Sequence, residues 1–237
     1  MKKPMSSCLL YKVFPTTYLS VLLLALMFPA GLWLPTSWGW ENGVIENLQI
    51  LILAAGLVVS CFVAWNKRDD RKSRNLWLCL TPCWILAILR EVSWGRIFYP
   101  VSIGTHGPEF ITLQQLPYGF LVKPFVIIVI VVTLIAVYWN AKGIFICHKQ
   151  LPVLDLTILL VAAIMAVLCD KNMLLHLHSY HQILEELAEL TVYWSMVSIV
   201  MNIGLQKKNT SLEPIKKTSS IKITIYNKKD YFLHKER

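Results

Sequence analysis

Apolar residues occur along this chain in long blocks, separated by shorter polar stretches. Blocks of 18 or more residues with few charges are typical of transmembrane helices. We count six such blocks, near 16–35, 44–65, 76–95, 122–140, 153–170 and 183–204. Each has about 18–22 residues, enough to cross a ~30 Å hydrocarbon core at a rise of ~1.5 Å per residue. The pattern predicts an all-α membrane protein, a bundle of about six transmembrane helices.

The composition agrees with this prediction, because 56% of the residues are hydrophobic and only 16% are charged, whereas a soluble domain has about a quarter of its residues charged. We expect residues 1–204 to form the transmembrane domain. Residues 205–237 are rich in Lys, Ser and Thr and are predicted to be a disordered cytoplasmic tail. The segment 96–121 between the third and fourth spans contains several Gly and Pro residues and is not expected to be one regular helix.

The placement of the basic residues predicts the orientation of the chain. Of the 23 Lys and Arg residues, all but Arg90, Arg96, Lys123 and Lys171 lie on one side of the predicted spans. Cytoplasmic loops carry the excess of Lys and Arg, so both termini are predicted to be cytoplasmic in a multi-pass protein of the inner membrane. The net charge of +9 is then explained by contact of the tail with anionic lipid headgroups, and a nucleic-acid partner is not expected.

Ionisable residues gather at the outer ends of three spans that are not all adjacent in sequence. Glu41, Glu46 and Gln49 lie at the start of span two, Arg90, Glu91, Trp94 and Arg96 at the end of span three, and His181, Glu185, Glu186 and Glu189 at the start of span six. Charged groups are costly in a bilayer and usually have a partner or a function. The topology therefore predicts one shared polar site at the periplasmic ends of spans two, three and six.

Helical spacing divides these residues into faces, since residues three or four apart lie on the same side of a helix. Gln182, Glu186, Glu189 and Tyr193 form one stripe on span six, and His181 and Glu185 form the neighbouring one. Glu46 shares a face with Gln49 on span two, and Glu91 is expected to share one with Trp94 on span three.

The cluster allows four interpretations. It can be a structural network in which Arg90 or Arg96 pairs with carboxylates and fixes the helices, with Glu46, Gln49, Trp94 and Tyr193 as binding or pairing residues. It can be an acid–base site that uses Glu91, Glu186 and Glu189. It can be a metal site for a divalent ion such as Zn²⁺, in which His178, His181 and Glu185 act as ligands together with Glu46 or Glu91, with His181 and Glu185 one turn apart. It can also be a solvated acidic rim.

The segment Arg90–Arg96 resembles a family of uncharacterised bacterial integral membrane proteins. That family carries a Glu-Glu-Ile-Ser-Trp-Gly-Gln-Arg-like signature at the end of a membrane helix, followed later by an acidic helix that contains Glu-Glu. Glu91, Ser93, Trp94 and Gly95 match the signature, whereas Arg90 replaces its more frequent second Glu and Arg96 replaces its Gln-Arg pair. The resemblance implies the location of a site and assigns it no reaction.

These observations lead to an expectation about function with two alternatives. The expectation is a membrane enzyme or binding protein for a lipid-linked or periplasmic substrate. One alternative is a transporter or proton-coupled permease, in which ionisable groups lie near mid-membrane and inverted repeats are frequent. The other is a non-catalytic membrane subunit, for which Ala54, Ala55 and Gly56 are the small-residue stretch that could contact a partner helix.

Overall fold

The computed structural model describes residues 14–104, 107–141, 152–171, 173 and 180–205. Within these residues the chain is mostly helical, with six α-helices and two short strands. The helices are α1 (Pro15–Trp33), α2 (Val44–Asn66), α3 (Arg71–Glu91), α4 (Gly119–Ala141), α5 (Val153–Asp170) and α6 (His181–Gly204). The predicted tail from residue 206 onward, and His176 and His178, lie outside the described residues.

Five of the helices in the described part of the chain are long and apolar enough to cross a membrane, namely α1, α2, α4, α5 and α6. The helix α3 has 21 residues but begins with Arg71, Lys72 and Arg74 and ends with Arg90 and Glu91, so its average hydropathy is low. Asp70 caps its first turn by accepting a hydrogen bond from the backbone N–H of Ser73. The helix packs between α2 and α4.

The helix α6 is the centre of the bundle and packs against α1, α2 and α5. In the most apolar 18-residue stretch of α6, 56% of the residues are buried inside the structure, compared with 11% in the corresponding stretch of α4. One face, which includes Tyr193, Val197 and Val200, packs against α2 and α3. The opposite face, with Leu184 and Ala188, packs against α1 and α5. The central position explains why α6 can be rich in polar residues, since most of its surface contacts protein.

The prediction that the third span ends near residue 95 is wrong. The helix stops at Glu91, and Ser93–Phe98 form a tight 3-10 turn in which Ser93, Trp94 and Gly95 have φ angles of 48°, 56° and 85°. These angles lie in the left-handed region, which favours glycine and interrupts a right-handed helix. Trp94 therefore does not continue the helical face of Glu91.

The all-α prediction also needs a correction in the segment 96–121. Two strands, β1 (Pro100–Gly104) and β2 (Gly107–Phe110), form an antiparallel hairpin. Ser102 lies opposite Glu109, and its hydroxyl donates to the Glu109 carboxylate at 2.5 Å. The segment is not one regular helix, as predicted, but its residues pair locally instead of remaining irregular.

Candidate functional site

The predicted polar site lies where α2 and α6 begin and α3 ends, so that three chain segments contribute polar groups at one end of the bundle. We call this group the outer-end cluster, after the predicted periplasmic ends of its helices; it consists of Glu46, Gln49, Arg90, Glu91, Glu186, Glu189 and Tyr193. Glu91 occupies the last position of α3 and is only 5% exposed. Tyr193, two turns further into α6 than Glu186, donates its hydroxyl to Glu91 Oε1 at 2.6 Å. A buried carboxylate and a buried phenol thus satisfy each other between α3 and α6.

Arg90 supplies positive charge to this cluster. Its Nη1 donates to the Tyr193 hydroxyl at 2.7 Å and lies 3.6 Å from Glu91 Oε1. Its Nη2 donates to Glu189 Oε1 at 2.5 Å. The guanidinium therefore connects the end of α3 to two positions on α6, although 56% of its side chain is exposed.

Glu186, the third carboxylate of the cluster, is held in place by a residue of α2. Gln49 is fully buried, and its Nε2 donates to both the backbone carbonyl oxygen and the carboxylate Oε2 of Glu186, at 2.8 and 2.9 Å. Glu46, one turn earlier on α2 and 7% exposed, accepts from the backbone N–H of Asn42. The carboxylate of Glu46 also interacts electrostatically with Glu91 and Glu189.

These contacts bring three of the predicted residues into one group. Glu91, Glu186 and Glu189 each offer a carboxylate oxygen, and the three oxygens lie within 4.8 Å of one another. The stripe predicted on α6 points at the ends of α2 and α3. The catalytic role of these three residues stays a prediction, as do the binding roles of their neighbours.

Arg96 belongs to a second network beside the first. It donates to Glu41 Oε1 at 2.9 Å, and the Ser93 hydroxyl donates to the same oxygen at 2.5 Å. The left-handed turn at Ser93–Gly95 makes the contacts with Glu41 possible. It redirects the chain after Glu91, so that Ser93 and Arg96 face the segment before α2. The Tyr118 hydroxyl donates to the backbone oxygen of Trp94 at 3.1 Å.

The predicted metal pair lies at the edge of the cluster. His181 is the first residue of α6, and Glu185 follows one turn later. The two interact electrostatically, and Glu185 also interacts with Asp170 at the end of α5. Among the described residues, the group close enough to share an ion consists of the three carboxylates and does not include this pair. A metal role for His181 and Glu185 stays a prediction.

A second polar cluster, around Asp155, was missed by the sequence analysis. Asp155 is 1% exposed and accepts from the Thr17 hydroxyl at 2.7 Å, the Ser20 hydroxyl at 3.0 Å and Asn202 Nδ2 at 2.9 Å. It joins the first turns of α1 and α5 to the last turn of α6, at the end of α6 opposite to Glu186. The signal was an acid inside a predicted span, with threonines and an asparagine at the same predicted depth.

Comparison of the chain with protein-family models, with curated proteins and with solved structures finds no match.

Proposed function

We propose that the chain is a multi-pass inner-membrane protein with six spans and both termini in the cytoplasm, and that the outer-end cluster opens toward the periplasm. The five long apolar helices support a membrane location. The orientation follows from the distribution of Lys and Arg. The resemblance of Arg90–Arg96 to a bacterial membrane-protein signature supports the choice of membrane.

We propose that this cluster binds and acts on a lipid-linked or periplasmic substrate, with Glu91, Glu186 and Glu189 as the groups that exchange protons with it. The observation that carries the proposal is the approach of three carboxylate oxygens to within 4.8 Å. A structural ion pair needs one carboxylate for each guanidinium, and the additional carboxylates repel one another. An arrangement that costs stability at a helix-bundle end points to a function.

The exposure of the groups supports access to a substrate. Glu91 is buried, whereas the Glu189 side chain is 15% exposed and that of Arg90 is 56% exposed. A ligand with a polar headgroup could therefore contact Arg90 and Glu189 first, with Glu91 and Tyr193 behind them. Proton exchange at such a site needs a carboxylate within hydrogen-bond reach of the reacting group.

A transporter is the second candidate. Buried ionisable groups in spans can act as proton relays in transporters, and Asp155 is a buried carboxylate at the other end of α6. It lies in the first turn of α5, however, and not at the mid-membrane position expected of a transport site. The two sites use different faces of α6, since Tyr193 faces α2 and α3 whereas Asn202 contacts α1 and α5. A continuous path between them would have to cross the helix, which makes the binding or enzymatic role the better supported one.

A non-catalytic subunit would need small residues on α2 that are free to contact a partner helix, and Gly56 is not free in this way. A Cβ on Gly56 would lie 2.6 Å from the Trp84 ring of the same chain, and the Trp84 indole N–H donates to the Ser60 hydroxyl at 2.8 Å. The small residue on α2 therefore accommodates α3, which leaves Gly56 covered from within the chain.

The proposed function is tested by identifying what the protein retains on purification. Lipids and small polar molecules extracted from detergent-purified wild type are compared by mass spectrometry with those from Glu189→Gln. Glu109→Gln, in the exposed hairpin, is the matched control. We expect a lipid-linked or polar species that the wild type and the control retain and that Glu189→Gln loses at least tenfold. Identical extracts from all three proteins would contradict the proposal.

A further inference from the structure

We propose that Glu91, Glu186 and Glu189, together with the side-chain amide oxygen of Gln49, form an all-oxygen binding site for a divalent cation, and that Ca²⁺ is the ion it fits best. The inference rests on the proposed function and deepens it, because it names a ligand of the same cluster. The carboxylates hold the ion when they are ionised, and a carboxylate that takes up a proton from the substrate leaves the ion.

The number and kind of the oxygens fit Ca²⁺. The oxygens of Glu91, Glu186 and Glu189 lie within 4.8 Å of one another, a range that the ligands of one bound ion share. Mg²⁺ keeps several of its waters and is usually held by one or two carboxylates, whereas Ca²⁺ takes about six to eight oxygen ligands. A site that offers three carboxylates and an amide oxygen therefore favours Ca²⁺.

The second observation is an unpaired polar atom beside the three carboxylates. Gln49 is fully buried, and its Oε1 accepts no hydrogen bond from the described residues. A buried acceptor without a partner costs about 1–3 kcal/mol. The Nε2 of the same amide, about 2.3 Å from Oε1 by standard geometry, contacts Glu186 Oε2. The unpaired oxygen thus lies beside the cluster, and amide oxygens are ordinary ligands of Ca²⁺.

The orientation of this amide is fixed by its neighbours. Nε2 faces two acceptors, the backbone oxygen and Oε2 of Glu186, at 2.8 and 2.9 Å. The flipped amide would place an oxygen against these two oxygens and lose both hydrogen bonds. Oε1 is therefore the atom left over, and a cation is the partner that would satisfy it.

The charge of the cluster also calls for a cation. With Glu46, which interacts electrostatically with Glu91, Glu186 and Glu189, the cluster has four carboxylates, and the guanidinium of Arg90 lies within ion-pair distance of Glu91 and Glu189. If all are ionised, three negative charges remain in excess, and a divalent ion removes two of them. The bonds from Arg90 and Tyr193 use Oε1 of Glu189 and of Glu91. Each of these two carboxylates has a second oxygen, Oε2, to offer to the ion.

The chemistry of the donors separates this site from a zinc site. Zn²⁺ prefers nitrogen and sulfur ligands in a tetrahedral arrangement, whereas Ca²⁺ and Mg²⁺ prefer oxygen. The ligands proposed here are carboxylate and amide oxygens only. The His181 and Glu185 pair would make a different site with a different preferred ion, so the two hypotheses predict different ions and different sensitive residues.

The test uses full-length protein purified in detergent and washed with EDTA. Binding is measured with radioactive Ca²⁺, and the apparent melting temperature is recorded as Ca²⁺, Mg²⁺ or Zn²⁺ is added. We expect a saturable rise in melting temperature with Ca²⁺, and Ca²⁺ binding at least tenfold weaker in Glu186→Gln and Gln49→Met. Glu109→Gln should bind as the wild type does. The melting temperature of each variant in EDTA shows whether it is folded before binding is compared.

Two results would overturn the inference. One is wild-type protein that binds Ca²⁺ no better than Glu186→Gln. The other is a preference for Zn²⁺ that is lost in His181→Ala and kept in Glu186→Gln. Neither result decides the proposed function, because the comparison of extracts from the wild type and Glu189→Gln does not measure ion binding. Wild-type protein that binds Ca²⁺ no better than Glu186→Gln, but retains a species that Glu189→Gln loses, would overturn the metal site and leave the proposed function standing.

Discussion

Arg90 is the residue that offsets negative charge in the outer-end cluster. Its guanidinium bonds to Tyr193 and Glu189 and lies near Glu91, yet more than half of its side chain is exposed. Exposed ion pairs are worth little on their own, about 0–1 kcal/mol. Here, however, the same cation offsets several neighbouring carboxylates. Its removal should therefore cost stability through repulsion among the acids as well as through the lost pair.

A double-mutant cycle tests this argument. We expect Arg90→Gln to lower the apparent melting temperature, and Glu189→Gln added to it to restore part of the loss, because the second change removes one repelling charge. A coupling of about 1 kcal/mol is expected for groups that share one network. The cycle is measured by thermal unfolding in detergent with EDTA present. Additive effects of the two substitutions would show that Arg90 does not act through the carboxylates.

Which side chains of the cluster contact one another could be predicted only in part. The sequence predicted that Glu46, Gln49, Glu91, Glu186 and Glu189 would lie at one end of the bundle, because each begins or ends a span on the same side. It left open whether Arg90 or Arg96 would join them. That choice depends on the left-handed turn Ser93–Gly95, which directs Arg96 to Glu41, and apolar periodicity carries no signal for such a turn.

The helices were easier to predict than the segments between them. Spans one, two, four, five and six match α1, α2, α4, α5 and α6 within three residues at each end, because blocks of apolar residues give a strong signal. The hairpin of β1 and β2 was not predicted, because the pairing of Ser102 with Glu109 depends on contacts between two short strands. Asp155 was also missed, since one acid in an apolar block hardly changes its average.

The Asp155 cluster makes its own prediction about how helices are held together. Asp155→Ala leaves the hydroxyls of Thr17 and Ser20 and the amide of Asn202 without their shared acceptor. A hydrogen bond to a charged group contributes about 1.5–3 kcal/mol, and three such bonds are lost, so we expect a loss of several kcal/mol. Asp155→Asn should cost less, because it keeps one oxygen and the shape, and the two hydroxyls can rotate to accept.

The measurement is the apparent melting temperature and the yield of monodisperse protein in detergent. Asp170→Ala is the matched control, since Asp170 is the exposed acid at the other end of the same helix, and it should behave as the wild type does. Equal losses for Asp155→Ala and Asp170→Ala would contradict the assignment of Asp155 as the connection among α1, α5 and α6.

At the scale of the whole molecule, α6 organises the arrangement. It contacts α1, α2 and α5, places carboxylates and Tyr193 against α2 and α3 at one end, and presents Asn202 to α1 and α5 at the other. Two polar clusters on different faces of one central helix allow each to change without directly altering the other. The outer-end cluster and the Asp155 cluster should therefore respond independently to substitution.

The number of times that the chain crosses the membrane is decided by α3. Because both ends of α3 are charged, it is not among the five long apolar helices. If α3 did not cross the membrane, the two termini would lie on opposite sides. At ~1.5 Å per residue its 21 residues span about 31 Å, close to the thickness of the hydrocarbon core. It is joined to α2 by the short connection 67–70 and packs along both α2 and α4. Because α3 is held between two helices that are long and apolar enough to span the membrane, we expect it to cross the bilayer with them.

Labelling of single cysteines on each side of α3 tests this prediction in cells. In a variant without native cysteines, Asp69→Cys lies before α3, and Val101→Cys, at a position that is 67% exposed, lies after it. A membrane-impermeant maleimide should label Val101→Cys in intact cells with a permeabilised outer membrane, and should label Asp69→Cys only after lysis, because the basic connection before α3 is expected to be cytoplasmic. Labelling of both from the outside, or of neither, would mean that α3 does not cross, and Arg90 and Glu91 would then lie on the same side of the membrane as Lys67.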